Sequence, residues 1–112
     1  MIEIVILNHL IAELGSSVYA EVPEKPPESY VVIEKTGSSE ENHLRSATFA
    51  IQSYAPSMLE AIKLNEKVKE AMTKSLELGC ISSVKLNSDY NFTDTTKKLY
   101  RYQAVFDLIY YD

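Results

Sequence analysis

Apolar and polar positions change period along this chain, and the changes mark out its elements. Ile4, Leu7, Ile11 and Leu14 recur at helical spacing with Leu10 beside them, while Glu3, Asn8, His9 and Glu13 fall off that stripe. The spacing predicts a helix over residues 2–14, with Gly15 as its stop. β-Branched residues are dense in Ile2–Leu7, so a strand there is the competing reading. The length of the periodic run favours the helix. Ser17–Glu21 predicts a short strand, after which Pro23, Pro26 and Pro27 forbid a continuous ladder. Ser29–Lys35, SYVVIEK, predicts a second strand, and Thr36–His43, TGSSEENH, a polar and acidic loop. Leu44–Ala55 predicts a third strand: Ala47, Phe49 and Ile51 share one face, while Ser46, Thr48 and Gln52 share the other. Such alternation indicates a sheet packed on one side and wet on the other.

The stretch Phe49–Met72, FAIQSYAPSMLEAIKLNEKVKEAM, is the clearest signal, because a strand runs through a proline into a capped helix. Pro56 biases Ala55 away from helical geometry. Ser57 stands three residues before Glu60, the spacing of a capping box. Met58, Ala61, Ile62, Val68, Met72 and Leu76 trace an apolar face, and Glu60, Lys63, Glu66, Lys67, Lys69 and Glu70 a wet one. Gly79 closes the predicted helix. Ile81–Phe92 predicts a strand with Val84, Leu86, Tyr90 and Phe92 inward. Thr93–Lys98 predicts a turn, and Leu99–Tyr111 a last strand with Tyr100, Tyr102, Ala104, Phe106, Leu108 and Tyr110 on one face. The predicted order is α-β-β-β-α-β-β. It describes an α+β fold, an antiparallel sheet of about four to five strands with two helices packed on one face.

Composition narrows the classes that remain. A chain of 112 residues, 46% apolar, forms one domain with its own core over residues 1–112. Its formal net charge of -5 argues against a dedicated nucleic-acid binder. The single cysteine, Cys80, forms no intrachain disulfide and reads as a packed residue. The apolar start carries Glu3 and Glu13 and lacks a basic leader, so neither a signal peptide nor a membrane span is expected. Asn91-Phe92-Thr93 matches a glycosylation acceptor by chance in such a chain.

Candidate chemistry is sparse. His9 and His43 lie far apart, with no cysteine or carboxylate at metal-ligand spacing. The three glycines are not clustered, so no phosphate cradle is built. Asp94 and Asp107 invite an acid/base pair, against a turn aspartate and a solvated strand face. The segment KKLYRYQ mixes cations with Tyr100 and Tyr102, as single-strand binding platforms do, against an ordinary strand after a basic turn. Eight tyrosines without a tryptophan favour a protein interface. No catalytic residue, cofactor or metal is expected.

The order of elements resembles the small siphophage tail-terminator and tail-completion proteins over nearly the whole chain. Val18-Tyr19, Pro27, Tyr30-Val31-Val32, Arg45, Gln52-Ser53-Tyr54, Glu60-Ala61 and the closing strand RYQAVFDLIY occupy the positions of that family's segments. Glu28-Ser29 separate Pro27 from Tyr30 where the family has little between them. The resemblance implies a structural virion-assembly protein of a phage or prophage, not an enzyme. It would form a ring, typically a hexamer, that caps the tail tube, ends tail elongation and presents the head-joining surface. Its partners would be copies of itself, the tail-tube protein and a head-completion or neck protein. DNA would pass through the ring without specific binding, and no membrane would be involved. It would assemble in the host cytoplasm and end in the virion tail. The alternatives are another neck or head-completion protein, or a small ligand-binding or enzymatic α+β domain. The expected interface comprises Gly37, Ser38, Ser39, Glu40, Glu41, Asn42 and His43, a loop that orders only against a neighbour. Arg45 and the outward strand faces around Tyr100, Tyr102 and Tyr110 complete it.

Overall fold

Two helices lie on one side of a five-stranded sheet, in a computed structural model that describes every residue except Ser16, Thr95, Lys98 and Asp112. The elements are α1 (Ile2–Leu14), β1 (Val18–Tyr19), β2 (Tyr30–Glu41), β3 (Leu44–Ala55), α2 (Met58–Lys74), β4 (Ile81–Asn91) and β5 (Tyr100–Tyr110). The α+β class and the predicted order of elements hold. Across the sheet the strands run β1-β2-β3-β5-β4. The β2–β3, β3–β5 and β5–β4 pairs are antiparallel. β1 joins parallel to β2 through Val18 and Tyr19, opposite Val31 and Val32, so the sheet is mixed. The proline-rich segment between β1 and β2 carries the chain back to the start of β2, which a tight hairpin could not do.

The core lies between helices and sheet. Phe49, Ile51, Phe106, Leu108 and Val31 fill it from the sheet, and Ile6, Leu10, Val68 and Met72 from the helices. The α1 stripe differs from the predicted one. Ile2, Ile6 and Leu10 are buried, Ile4 is exposed, and Leu7, Ile11 and Leu14 flank the core half-buried. The helix is apolar nearly all round, so its own periodicity does not fix which side turns inward; packing does. Gly15 ends it as expected, in the left-handed region at φ 96°, with its N–H on Ile11 O at 2.8 Å.

α2 starts where the sequence places it. Ser57 is extended, and its Oγ accepts the Glu60 N–H at 3.2 Å. The Glu60 carboxylate meets the Ser57 hydroxyl at 3.3 Å. Ser57→Ala is therefore expected to lower unfolding stability by about 1 kcal/mol. Denaturant titration measures it, and an unchanged midpoint would mean that water replaces the cap. The helix ends at Lys74 in a short 3-10 turn, Ser75–Glu77, ahead of Gly79. Ser75 ends it by donating its hydroxyl to Met72 O at 2.6 Å. That turn leaves Leu76 exposed rather than on the buried face.

In β4 the predicted inward set is only partly inward. Irregularities between Ile81 and Ser83, and between Leu86 and Ser88, shift the register. Each inserts a residue and reverses the alternation beyond it. Leu86 therefore shares the helix side with Phe106, whereas Tyr90 pairs with Gln103 on the opposite side. Leu86, Tyr90 and Phe92 are all exposed. The turn before β5 is held by Asp94, whose Oδ1 accepts from Thr96 N–H at 3.0 Å and Thr96 Oγ1 at 2.7 Å. Those bonds, Thr96 Oγ1 foremost, hold the Asp94 carboxyl below its ordinary range. Thr95 and Lys98 of that turn lie outside the described residues.

Candidate functional site

The segment expected to be a loop is a β-hairpin arm. β2 continues through Gly37, Ser38, Ser39, Glu40 and Glu41, which pair with Thr48, Ala47, Ser46, Arg45 and Leu44. Asn42 and His43 turn the chain at φ 51° and 67°. A type I′ two-residue hairpin turn needs positive φ at both central positions, and asparagine tolerates it well. A bulge between Lys35 and Gly37 sets the register of the arm. Both faces of the arm are wet, so the apolar alternation that identifies a strand is missing from its sequence. The arm is ordered by its own ladder rather than by a neighbour, which corrects the loop expectation. Ser39 Oγ lies 2.6 Å from Ser46 Oγ on one face. Arg45 Nε lies 3.5 Å from Glu40 Oε2 on the other.

The predicted site residues divide between two ends of the molecule. Tyr110 pairs with Arg45 at the root of the arm, and it is buried in the core on the helix side. Tyr100 and Tyr102 lie on that same side at the far end of β5, half-buried. Tyr100 and Tyr110 stand at opposite ends of this 11-residue strand, about 33 Å apart at about 3.3 Å per residue step. These rings do not form an outward patch, because Ala104, Phe106 and Leu108 between them belong to the core. Alternation places all six residues on one face, and the helices cover that face. The long strands account for the elongated shape, 45 × 24 × 23 Å.

The opposite, helix-free face carries a feature that sequence reasoning missed. Tyr30 stacks on Tyr54 with centroids 4.5 Å apart, and Tyr19 meets Tyr30 edge-on at 6.4 Å. The Arg101 guanidinium lies 5.6 Å from the Tyr54 centroid and 4.2 Å from that of Phe92. This row crosses the sheet from β1 to the end of β4. A hydrogen-bonded chain runs beside it. Arg101 Nη1 donates to Tyr54 Oη at 3.1 Å, Tyr54 to Gln52 Oε1 at 3.0 Å, and Gln52 Nε2 to Gln103 Oε1 at 2.9 Å. Gln103 Nε2 then donates to the Tyr90 hydroxyl. Burial pushes the Tyr30 phenol up, Tyr54 adds to the effect, and Arg101 opposes it. Farther along the same face, Asp107 accepts from Thr48 Oγ1 at 2.8 Å and from Asn87 Nδ2 at 2.9 Å. Asp107 thus anchors a cross-strand row and stands apart from the turn residue Asp94. The only signal in sequence was the phase shared by Tyr30, Tyr54 and Arg101, which shows once the strands are in register.

No convergent catalytic group forms among the described residues. His9 Nε2 lies 2.7 Å from Ala71 O and ties α1 to α2. His43 occupies the hairpin turn. Cys80 is half-buried against the core. No group of three or more His, Cys, Asp or Glu side chains is placed to hold a metal ion among the described residues. Among them, no helix is long and apolar enough to cross a membrane. A groove of about 360 Å³ beside the arm is lined by Ser39, Glu41, Asn42, Leu44, Arg45 and Ile109, without a nucleophile–base pair.

No family model matches the chain, and no curated protein matches it. Among solved structures it is similar to a chain in the virion of a native gene transfer agent particle. The identity is 15%, the TM-score 0.51, and the match covers 90% of this chain and 83% of that one. The likeness is one of fold.

Proposed function

We propose that this chain is a structural subunit of a phage-type virion, with the role of a tail terminator. The observation that carries the reading is the fold shared, over 90% of this chain, with a chain of a virion particle. In this reading the protein is not an enzyme. Identical copies close into a ring, a hexamer, on the last ring of a tail tube; they stop elongation and present the surface that joins the head. The two ends of the elongated subunit serve two partners. The hairpin arm, Gly37–His43 with Arg45 at its root, contacts the tail-tube protein. The end that carries Tyr100 and Tyr102 faces the head-completion or neck protein. DNA passes through the ring, which a chain of net charge -5 permits because its carboxylates outnumber the cations that would hold phosphates. Assembly takes place in the host cytoplasm, and the ring ends in the virion tail.

Sedimentation across concentration, with negative-stain images of purified tail tubes mixed with the protein, tests this. Rings at tube ends are expected. A stable dimer that never binds tubes would overturn it. Caps on heads instead of tubes would transfer the role to a neck protein. The arm has its own test. Deleting Glu40, Glu41, Leu44 and Arg45 removes two cross-strand pairs and leaves the Asn42-His43 turn on Ser39 and Ser46. These four residues lie outside the core cluster, so the melting temperature is expected to change little and tube binding to be lost. A shortened arm that still caps tubes would remove the arm from the interface.

A further inference from the structure

We propose that neighbouring copies join edge to edge, β4 of one against β2 of the next, with Leu86 entering a groove beside α1. The inference rests on the ring-subunit reading above and names the lateral surfaces of that ring. β4 is the last strand on one side of the sheet. On the other side β1 covers β2 only at Val31 and Val32, so the outer edge of Glu34–Glu41, away from β3, has no strand paired to it among the described residues. Both edges therefore present backbone groups that a neighbouring strand can pair with.

The two edges match in direction, side and chemistry. β4 runs antiparallel to β5, β5 to β3 and β3 to β2, so β4 runs opposite to β2. A neighbour placed alongside without inversion sets β4 antiparallel to the next β2, the more stable kind of pairing. Leu86 shares the helix side with Phe106, yet it is 45% exposed. At the other edge, on the same side, a groove of about 350 Å³ is lined by Met1, Ile4, Leu7 and Ile33 together with the charged Glu3 and Lys35. Ile4 in that groove is 52% exposed. The Lys35–Glu3 ion pair, at 3.0 Å, holds α1 to β2 beside it. On the other side of the sheet Lys85 is exposed on β4 and Glu34 on β2, so opposite charges meet when the edges join. The bulges that flank Ser83–Leu86 confine regular pairing to that short segment, which discourages open-ended edge aggregation. The two edges differ, so the contact is heterologous. It closes into a ring when the rotation between neighbours divides a full turn.

The test uses Leu86→Glu and Ile4→Glu, both at exposed positions. Far-UV circular dichroism and melting first establish that each variant folds like the parent chain. Each alone is expected to need at least about tenfold more protein to assemble, as loss of a central apolar anchor does. Mixed one to one, each variant retains one intact edge. The mixture is expected to form a dimer and stop, read by sedimentation at a concentration where the parent chain assembles. Unimpaired assembly of either variant, or a mixture that stays monomeric, would overturn the edge contact and leave the ring reading standing. A parent chain that never assembles, even on tubes, would overturn both.

Discussion

Phe49→Ala is expected to cost about 3–5 kcal/mol of unfolding stability. Phe49 has no exposed surface, sits at the middle of β3, and pairs with Lys35 on one side and Phe106 on the other. Truncating the ring leaves a void that helices and sheet must close together, and both are held by other contacts. His9 ties the helices at 2.7 Å, and Lys35 ties α1 to the sheet. A domain of this size is stable by about 5–15 kcal/mol, so the loss removes a large share of it. Denaturant titration with an unchanged slope is the measurement. A loss under about 1 kcal/mol would mean that the interior collapses freely around the missing ring, contrary to a close-packed core.

The second large effect is expected at Asp89. Its Oδ1 accepts from Asn65 Nδ2 at 2.7 Å, and its Oδ2 meets Lys69 Nζ at 2.6 Å. Asn65 is 2% exposed, and its Oδ1 has no partner. Asp89→Ala takes away the bond to Asn65 Nδ2 and deprives Lys69 of a charge-assisted bond. The expected loss is about 2–3 kcal/mol, mostly the penalty for a buried donor left unpaired. Asn65→Leu in the Asp89→Ala background is expected to recover part of it, since it removes the orphaned amide. No recovery would show that the pair acts through Lys69 instead. The alkaline limb separates these contributions further. The Asp89 bond, with Glu66 adding to it, raises the Lys69 pKa above the ordinary 10.5. A group raised on folding stabilises fully below its unfolded pKa, and that contribution disappears as pH rises through the folded value. The deficit of Asp89→Ala should therefore shrink above about pH 10.5.

The sequence made the element order readable because most elements carry strong local punctuation. Ser57 and Glu60 mark the start of α2, Gly15 ends α1, and the alternation of Ala104, Phe106 and Leu108 identifies β5 and its buried side. Other features are invisible locally. Asn42 and His43 close a hairpin whose strands are polar on both sides, so composition alone reads as a loop. The bulges of β4 break the parity on which an inward set is inferred, which places Tyr90 opposite to Leu86. Asn65 is buried inside a polar stretch of α2 because Asp89, on β4, reaches it. The aromatic row of Tyr30, Tyr54 and Arg101 exists only once three strands are in register. Candidate site residues spread over the chain were thus separable into two ends only after β5 had a direction.

The strand order has a consequence for synthesis. β5, the last strand of this sheet in chain order, is inserted between β3 and β4. Until residue 100 and those after it emerge, the nascent chain holds β3 and β4 with a gap between them, and the core lacks Phe106 and Leu108. The N-terminal helix and the β2–β3 hairpin are the local units able to form first. Closure of the sheet then waits on the final hairpin. A prematurely terminated chain would carry open strand edges and an incomplete core, and quality control would meet it as an aggregation-prone species.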